Sequence, residues 1–339
     1  MSLEEFLSEW NDSSDRLLVH TSGSTGKPKP LWVEKRRMVA SAHITCKFLG
    51  LKAGDTALLC MPLDYIAGKM MVVRALTCGL RLLTVPPTSH PLADNAIAGN
   101  GSECYDCEAA VIHFAAMVPM QVYNSMLVPK ERERLQQIGH LIIGGGAIND
   151  ALASELRDFP NAVWSTYGMT ETLSHIALRR LNGKEATEWY TPFDSVALSL
   201  NDDGCLVIDA PLVCPDRLVT NDLAELRPDG RFRILGRRDN TVCSGGIKIQ
   251  MEEVERLLTN HLAQPFIVTK CPDERLGEAL VLLTESTDTA AIARICEQVL
   301  PRYWQPRRCL HIDHIPLTAT GKPARQRAEE IARTITDFV

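Results

Sequence analysis

Several protein classes are excluded by what the sequence lacks. Its 339 residues contain no run approaching the ~18 consecutive apolar residues that a membrane-spanning helix needs. The N-terminus, MSLEEFLSEWNDSSD, has neither the basic start nor the apolar block of a signal peptide. Basic residues are not in excess, since the formal net charge is −6, whereas nucleic-acid-binding surfaces are usually basic. The sequence therefore predicts a cytoplasmic protein with no membrane span and no nucleic-acid partner.

Cysteine is abundant but lacks a metal-binding pattern. Most of the 11 cysteines lie in apolar segments, such as Cys60 in ALLCMP and Cys309 in RRCLHI, which predicts buried, reduced thiols. Cys104 and Cys107 form a CxxC pair, but a zinc site needs a second pair or nearby histidines. His113 is the near histidine, and it lies in an apolar strand pattern. We expect no metal at this pair.

The first two thirds of the chain alternate apolar strands with helical stretches. A hydrophobic fraction of 45% supplies ample core, and the length suggests about two domains. Predicted strands cover residues 56–61, 81–85, 109–114, 140–143 and 162–165, and predicted helices cover residues 66–78 and 150–159. Such alternation predicts an α/β fold with a mostly parallel, covered sheet.

The pattern of predicted secondary structure changes after about residue 187. Short strands and Asp-Gly turns indicate a β-rich subdomain that closes the first domain. From residue 250 a compact α+β pattern follows, with helices at 251–262 and 289–300 and strands at 265–270, 279–284 and 308–313. The sequence thus predicts a large N-terminal domain, residues 1–237, and a small C-terminal α+β domain, residues 238–339, with the boundary near Asp239.

The segment at residues 20–30, HTSGSTGKPKP, is a candidate phosphate-binding loop. Glycines allow close approach of the backbone, and hydroxyl, amide and lysine groups attract phosphate oxygens. The segment is not a Walker A motif, because two residues rather than four separate Gly23 from Gly26, and Pro28 follows Lys27. Taken alone, an ordinary exposed loop is an equally good interpretation.

Four further segments carry candidate chemistry. YGMTETLS begins at Tyr167, directly after a predicted strand, where open α/β sheets bind ligands. Its aromatic ring can stack on a base, and Glu171 can hold magnesium, although a simple helix start fits the same residues. Asp222 in TND can accept two ribose hydroxyls, although an isolated aspartate is more often a turn residue. The last two segments are GRRDNTVCSGGIKI and LTATGKPAR.

Together these five segments closely resemble the ordered core motifs of the adenylate-forming superfamily. That family contains acyl-CoA synthetases, adenylation domains of peptide synthetases and beetle luciferase. The resemblance covers residues from about 18 to 327. It implies ATP-dependent adenylation of a carboxylic acid with release of pyrophosphate, then transfer of the acyl group to a thiol such as CoA, with Mg²⁺ as cofactor.

The resemblance also implies roles for individual residues. The β- and γ-phosphates are expected at Thr21, Ser22, Gly23, Ser24, Thr25, Gly26 and Lys27. Adenine and the acyl group are expected to lie against Gly144, Gly145, Gly146, Ala147, Tyr167, Gly168 and Met169. Thr170 would contact the α-phosphate, Glu171 the magnesium, and Asp222 with Arg237 the ribose. Lys322 would bridge the carboxylate and the α-phosphate, where negative charge accumulates.

The small C-terminal domain is expected to be mobile. Members of this family rotate it between the two half-reactions, and Asp239 matches the hinge position. One pose would deliver Lys322. The other would bring residues of the SGGI segment to a CoA channel, namely Ser244, Gly245, Gly246 and Ile247.

Within the superfamily, GRRDNTVCSGGIKIQMEEVE is especially similar to the o-succinylbenzoate–CoA ligases of menaquinone synthesis. Their substrate keeps one charged carboxylate, which needs a cation or polar cap. The acyl-site candidates are Tyr65, Gly68, Lys69, Arg74, Gly145 and His175. Lys69 and Arg74 are five apart on one helix, so at most one need face the pocket. Lys69 is the preferred cation, because an ion pair on the helix surface explains Arg74 at least as well. For His175, a packing role is equally good.

Alternatives remain at this point. If the o-succinylbenzoate assignment fails, the protein is expected to be a CoA ligase for another aryl or fatty acid, or a non-catalytic nucleotide-binding relative. Lys27, Glu171, Asp222, Arg237 and Lys322 weigh against the non-catalytic alternative. An amino-acid-loading domain is disfavoured because no carrier segment follows Val339. The N-terminal domain is shorter than in longer relatives, and the start at Met1 favours a compact ligase over a fragment. The sequence carries no signal of oligomeric state.

Overall fold

The computed structural model describes residues 1–20, 29–93, 111–146, 148, 150–318 and 322–337. A helix and a hairpin come first. Helix α1 (Leu3–Asn11) is capped by Ser2, whose hydroxyl accepts from the Glu5 amide while the Glu5 carboxylate accepts from the Ser2 amide. Strands β1 (Arg16–His20) and β2 (Pro30–Glu34) then pair antiparallel, and helix α2 (Lys35–Leu49) follows. The buried strand predicted at residues 17–19 thus belongs to a two-stranded hairpin.

A seven-stranded sheet forms the centre of the fold. Its strands lie in the order β4-β3-β5-β6-β7-β8-β9. Their bounds are β3 (Thr56–Leu59), β4 (Arg81–Thr84), β5 (Phe114–Met117), β6 (His140–Ile143), β7 (Ala162–Gly168), β8 (His175–Arg180) and β9 (Thr191–Pro192). The first five strands in that order are parallel, and β8 and β9 are antiparallel. The predicted α/β fold with a mostly parallel sheet is confirmed.

Helices cover this sheet on both faces. They are α3 (Ile66–Cys78), α4 (Pro119–Leu127), α5 (Pro129–Gln137) and α6 (Asp150–Leu156). Successive residues of β3 enter different hydrophobic clusters: Ala57 and Leu59 lie in one, and Leu58 lies in the other. Because side chains alternate across a strand, both faces of the sheet are buried, as parallel sheets require.

A four-stranded antiparallel sheet follows. It consists of β10 (Ala197–Leu200), β11 (Cys205–Asp209), β12 (Leu218–Leu226) and β13 (Phe232–Arg237). Tyr190 and Phe232 form a bridge with backbone bonds of 2.7 and 3.1 Å, which ties β13 to the segment before β9. The predicted β-rich subdomain is therefore attached directly to the central sheet.

The residues after 240 build a separate sheet. Its strands are β14 (Thr241–Ser244), β15 (Ile247–Gln250), β16 (Phe266–Asp273), β17 (Gly277–Thr284) and β18 (Arg308–His311), and its helices are α7 (Met251–Leu258), α8 (Thr289–Val299) and α9 (Arg325–Asp337). Two hydrophobic clusters drawn only from residues 242–335 pack around it. This part has a core of its own, and the domain boundary near Asp239 stays a prediction.

Some predicted bounds were wrong. The strand predicted at residues 109–114 begins at Phe114, and Val111 is 63% exposed. Helices α6 and α7 end at Leu156 and Leu258, three or four residues earlier than predicted. Nine described cysteines are free, and all but Cys243 are at least partly buried. Cys104 and Cys107 lie outside the described residues.

Two features are absent from the described residues. None of the described helices is long and apolar enough to cross a membrane. Over the same ranges, no three or more His, Cys, Asp or Glu side chains are grouped so as to hold a metal ion.

Candidate active site

Glycines 144–146 and the start of the YGMTETLS segment lie at the carboxyl edge of the central sheet. Strand β6 ends at Ile143, opposite Ser165 of β7, and β7 continues to Gly168. Gly144 follows β6 so closely against β7 that a Cβ there would lie 2.3 Å from the Thr166 hydroxyl oxygen. Gly145 has φ +79°, which favours glycine. Gly145 and Gly146 are exposed beside Val118 and Pro119, and Ala147 lies outside the described residues.

The predicted phosphate-binding loop lies in sequence between the two strands of the first hairpin. His20 pairs with Pro30, so both ends of this connection are held by strand pairing. The predicted phosphate ligands Thr21, Ser22, Gly23, Ser24, Thr25, Gly26 and Lys27 all lie outside the described residues.

Three predicted nucleotide-binding residues come together although 70 positions separate them in sequence. The Tyr167 hydroxyl donates to Asp222 Oδ2 at 2.6 Å, and Arg237 Nη1 lies 3.4 Å from Asp222 Oδ1. Strand pairing explains the second contact, because Asp222 of β12 lies opposite Arg237 of β13. The Tyr167 ring packs edge-on against Phe232 at 5.1 Å. The cluster presents a carboxylate and a guanidinium beside an aromatic ring.

Burial fixes the proton on Tyr167. Burial first, and then the neighbouring Asp222 charge, raise the pKa of the phenol far above its ordinary value. The hydroxyl is therefore a donor at every physiological pH, and it orients the Asp222 carboxylate. Asp222 also receives a fixed backbone position, since its amide donates to the Thr220 hydroxyl at 3.0 Å.

The segment after β7 is held in an unusual turn. Thr170–Thr172 form one turn of 3₁₀-helix, and Leu173 follows with φ +65°, the one positive φ of a non-glycine residue among those described. The Thr172 hydroxyl accepts from the Met169 amide at 3.0 Å and donates to the Ser174 carbonyl at 2.8 Å. Such strain persists where surrounding contacts over-determine the backbone, and it concentrates at functional sites.

This turn presents Glu171 as a candidate magnesium ligand. Within the described ranges, Glu171 makes no hydrogen bond or ion pair, and it is partly exposed beside buried Thr170. An unpaired carboxylate is the donor that Mg²⁺ prefers, and this ion is commonly held by one or two carboxylates plus substrate phosphates. The donor set therefore fits magnesium brought in with a nucleotide.

A buried polar cluster lies behind the same turn. Arg74 on α3 is 1% exposed, and its Nη2 donates to the Ser174 hydroxyl at 2.7 Å. His175 is also buried; its Nδ1 lies 3.1 Å from the Ser174 hydroxyl and its Nε2 3.1 Å from the Thr45 hydroxyl. Arg74 Nε is buried and has no hydrogen-bond partner among the described residues. The predicted surface ion pair for Arg74 is therefore wrong.

The two basic groups of this cluster differ in charge. Burial lowers the pKa of Arg74 to about 10, so the guanidinium stays charged at neutral pH. Burial and the Arg74 charge lower the pKa of His175 well below its ordinary value, so the imidazole is neutral. Arg74 is thus the cation of the cluster.

Lys69 lies in different surroundings. It is 2% exposed, its Nζ lies 3.1 Å from Met1 Sδ, and it sits over the Phe6 ring of α1 at 5.1 Å. Burial lowers the pKa of Lys69, and the charges of Glu9 and Asp64, which raise it, offset this effect only in part. The structure does not bring the preferred cation, Lys69, to the buried cluster of Arg74, because five residues turn the two side chains to different faces of α3.

Tyr65 and Gly68 have local structural roles. Tyr65 is the half-buried residue that precedes α3. Gly68 lies so close to the preceding loop that a Cβ would be 2.3 Å from the Pro62 carbonyl oxygen. A side chain at this position would push α3, and with it Arg74, away from the sheet.

The predicted hinge residue forms an ion pair. Arg237 Nε and Nη2 donate to the two oxygens of Asp239, each at 2.9 Å. Burial raises the pKa of Asp239, but the Arg237 hydrogen bond and charge outweigh it, and the pKa is lowered overall. The guanidinium of Arg237 is thereby shared between the predicted hinge and Asp222.

Lys322 lies near the same arginine. Burial, and then the charge of Arg237, lower the pKa of Lys322. Its backbone is fixed by Thr318, whose hydroxyl accepts from the Lys322 amide at 3.1 Å and whose own amide donates to the Lys322 carbonyl at 2.7 Å. The charge of Arg237, a predicted ribose ligand, therefore acts on the predicted catalytic lysine in this structure.

The segment predicted for the CoA channel is the tip of a hairpin. Ser244 pairs with Ile247, and the two-residue turn between them has Gly245 at φ +58° and Gly246 at φ +83°. Two positive φ values are characteristic of a type I′ turn, which requires residues such as glycine. The double glycine is therefore explained by the turn itself.

Some site residues were not identified from the sequence. Thr45, Thr172 and Ser174 carry the hydrogen bonds that hold the turn and the buried cluster, and Gln250 contacts Arg237. A hydroxyl in TETLS was a signal for Thr172 and Ser174, whereas nothing near Thr45 in sequence indicated a contact 130 residues away.

Comparisons with known proteins address the family. The model of a family described as AMP-binding enzyme matches residues 5–210, which is more than half of the chain. The chain belongs to this family. The match confirms the resemblance to adenylate-forming enzymes that the motifs predicted.

Several relatives resemble the chain over most of its length. A solved structure from Dyadobacter fermentans, described as an acyl-CoA synthetase (AMP-forming)/AMP-acid ligase II-like protein, is 33% identical with a TM-score of 0.63, over 97% of this chain and 92% of that one. The 2-succinylbenzoate–CoA ligase of Bacillus mycoides is 25% identical over 93% of this chain and 69% of its own. The o-succinylbenzoate CoA synthetase of Bacillus subtilis, solved with the acyl-adenylate OSB-AMP, has a TM-score of 0.75 at 22% identity, over 92% of this chain and 68% of that one.

Proposed function

We propose that the protein is an ATP-dependent acid–CoA ligase and that its acid is 2-succinylbenzoate. In the first half-reaction the carboxylate oxygen attacks the α-phosphorus of ATP, the bond to the bridging oxygen breaks, and pyrophosphate leaves. In the second, the CoA thiolate attacks the acyl carbonyl and AMP leaves. The family match supports adenylate chemistry, and similarity to curated 2-succinylbenzoate–CoA ligases supports the acid.

The nucleotide half of this proposal rests on the Tyr167, Asp222 and Arg237 cluster. Asp222 would accept the ribose hydroxyls, held in position by the 2.6 Å bond from Tyr167, and the Tyr167 ring would lie against adenine. Thr170 would reach the α-phosphate. Glu171 would hold Mg²⁺, which when bound neutralises phosphate charge.

Lys322 would provide the mobile positive charge of the first step. Two anions must approach each other there, and the transition state gathers charge on the α-phosphate oxygens. Desolvation and the charge of Arg237 lower the pKa of Lys322, and the attacking carboxylate and the phosphate would supply opposite charge to its ammonium. Lys27 would act on the departing pyrophosphate.

One observation carries the choice of acid: a buried, charged arginine behind the turn that follows Tyr167. Arg74 is 1% exposed and bonds to Ser174, a half-buried hydroxyl. His175 is neutral, and Lys69 lies under α1, so Arg74 supplies the positive charge at this end of the site. We assign the remaining carboxylate of the acid to the Ser174 hydroxyl, with the Arg74 charge directly behind it.

Activity assays with matched acids test this assignment. Pyrophosphate release is measured with 2-succinylbenzoate and with two analogues that each lack one carboxylate, with and without CoA. We expect the dicarboxylate to have the highest kcat/KM, and Arg74→Met to remove most of that preference while activity with the monocarboxylate analogues changes little. Lys69→Met is the control, and its preference should match the wild type.

Two results would contradict the proposal. Equal activity of the wild type with the dicarboxylate and a monocarboxylate analogue would replace 2-succinylbenzoate by another aryl or fatty acid. Absence of pyrophosphate release with every acid would favour a non-catalytic nucleotide-binding relative. The proposal also places the enzyme in the cytoplasm, which cell fractionation tests.

A further inference from the structure

Gln250, the last residue of β15, reaches back to the end of β13. Its Nε2 donates to the Arg237 carbonyl at 2.8 Å and to Glu252 Oε2 at 2.5 Å. Its Oε1 accepts from the Thr241 hydroxyl at 2.9 Å. The amide therefore uses both donors and its acceptor, so its orientation is fixed by three partners.

The backbone of β13 is shaped to receive this side chain. Gly236 has φ +149°, and a Cβ added there would lie 2.4 Å from Gln250 Nε2 and 2.7 Å from its Cγ and Cδ. The amide thus lies directly against the bare Cα of the glycine. Any other residue at position 236 would displace Gln250 or strain the backbone.

These contacts span the predicted hinge. Gly236 and Arg237 precede Asp239, whereas Gln250 lies beyond it on the sheet that carries the small unit's own core. A rotation about Asp239 moves β15 relative to β13 and changes the distance between Gln250 Nε2 and the Arg237 carbonyl. This bond belongs to one pose, the pose described here, in which the charge of Arg237 acts on Lys322.

We propose that Gln250 is a positioning residue that latches the C-terminal unit in the pose for adenylation. The inference rests on the proposed two-step ligase reaction. With the latch closed, Lys322 faces the nucleotide site, and opening it releases the unit for the thiol step. Gln250 thereby sets the balance between the two half-reactions without touching a substrate.

The variant Gln250→Glu tests the latch at nearly constant shape. A carboxylate cannot donate to the Arg237 carbonyl, and it would face the carboxylate of Glu252. Of the two hydrogen bonds that the variant loses, only the one to the Arg237 carbonyl crosses the predicted hinge, and its loss predicts a roughly two- to tenfold shift in the ratio of the two poses. We expect adenylation, measured by pyrophosphate exchange, to slow by that factor. Thioester formation from supplied acyl-adenylate should be unchanged or faster.

Gln305→Glu is the matched control. The Gln305 amide bonds within the C-terminal unit, at 3.4 Å to the Leu300 and Glu297 carbonyls, and it crosses no hinge. Both half-reactions should keep their wild-type ratio. An equal slowing of both half-reactions in Gln250→Glu would overturn the latch, since a merely structural residue would affect them alike.

A distance measurement without substrates supplies a second readout. Two labels are introduced as non-natural amino acids at Leu127 and Tyr303, which are 65% and 67% exposed. Gln250→Glu should broaden or shift the distribution of distances between them, and an unchanged distribution would overturn the latch. If the wild type adenylates no acid, the proposed function fails, while this measurement still shows whether Gln250 restrains the unit.

Discussion

Removal of the Tyr167 hydroxyl should weaken ATP binding with little change to the fold. In Tyr167→Phe the ring keeps its edge-on contact with Phe232, and the 2.6 Å hydrogen bond to Asp222 is lost. Asp222 then keeps Arg237 at 3.4 Å as its basic neighbour, and that arginine is also bound to Asp239. The Asp222 carboxylate, which is proposed to bind the ribose, is then no longer oriented by Tyr167.

The structure sets the magnitude of this effect. A hydrogen bond to a charged group contributes about 1.5–3 kcal/mol, which corresponds to roughly 10- to 150-fold in a dissociation constant. The side chain of Asp222 is 14% exposed, so water replaces part of the lost interaction. We therefore expect the KM for ATP to rise about tenfold, at the low end of that range.

Steady-state pyrophosphate release measures the change, with ATP and the acid varied in turn. The KM for the acid should stay within about twofold, because the hydroxyl points to Asp222 and not to the acyl end. Tyr190→Phe is the control: its hydroxyl is 2.8 Å from Ser165, in the same aromatic cluster, and does not contact Asp222. An unchanged KM for ATP in Tyr167→Phe would refute the assignment of Asp222 to the ribose.

The same variant has a signature in alkaline solution. The pKa of Tyr167 is raised in the folded protein, so above pH ~10 the unfolded chain loses a proton that the folded protein keeps. Folding is therefore stabilised less as the pH rises past that value. Tyr167→Phe removes this contribution, and its free energy of unfolding should fall less steeply than that of the wild type.

Three further outcomes are expected. Lys322→Ala should lose most adenylation and retain much of the thioester step from supplied acyl-adenylate; equal losses in the two assays would contradict its role. Asp239→Pro should impair the thiol step more than adenylation, because proline fixes φ at the predicted hinge, and an unaltered ratio of the two rates would remove Asp239 from that position. Lys69→Met should keep the KM for the acid and should unfold at the same or a higher temperature at neutral pH. Burial lowers the pKa of Lys69, so the charged form opposes folding below that pKa. A large rise in the KM for the acid would return Lys69 to the acyl site.

The sequence predicted the elements better than their surroundings. Helix α3 and strand β6 have the predicted bounds, because Gly79 ends the helix and Gly144 follows the strand. The strand near His113 was displaced, since an apolar run does not show where pairing with a neighbour begins. Strand β1 pairs in a hairpin with β2, a partner that local periodicity cannot specify.

Side-chain direction was the main limit at the candidate site. The sequence places Lys69 and Arg74 on one helix, but only the packing of α1 against Lys69 shows which side chain is left for the buried cluster. The bond between Tyr167 and Asp222 joins residues 55 positions apart, through strands of two different sheets. Motif order indicated these residues, and the tertiary fold determines their contacts.

Strand β7 extends beyond its parallel neighbour β6. Its last pair with β6 is Ser165 opposite Ile143, while Thr166 and Tyr167 pair only with Leu178 and Ala177 of β8. The end of β7 is thus paired on one side only, and it extends beyond β6 as a two-stranded ribbon with β8. Its stiffness comes from β8, on the side away from β6. A bulkier residue at Ala177, directly opposite Tyr167, would tilt the tip of the ribbon and re-aim the aromatic ring while the parallel sheet keeps its register.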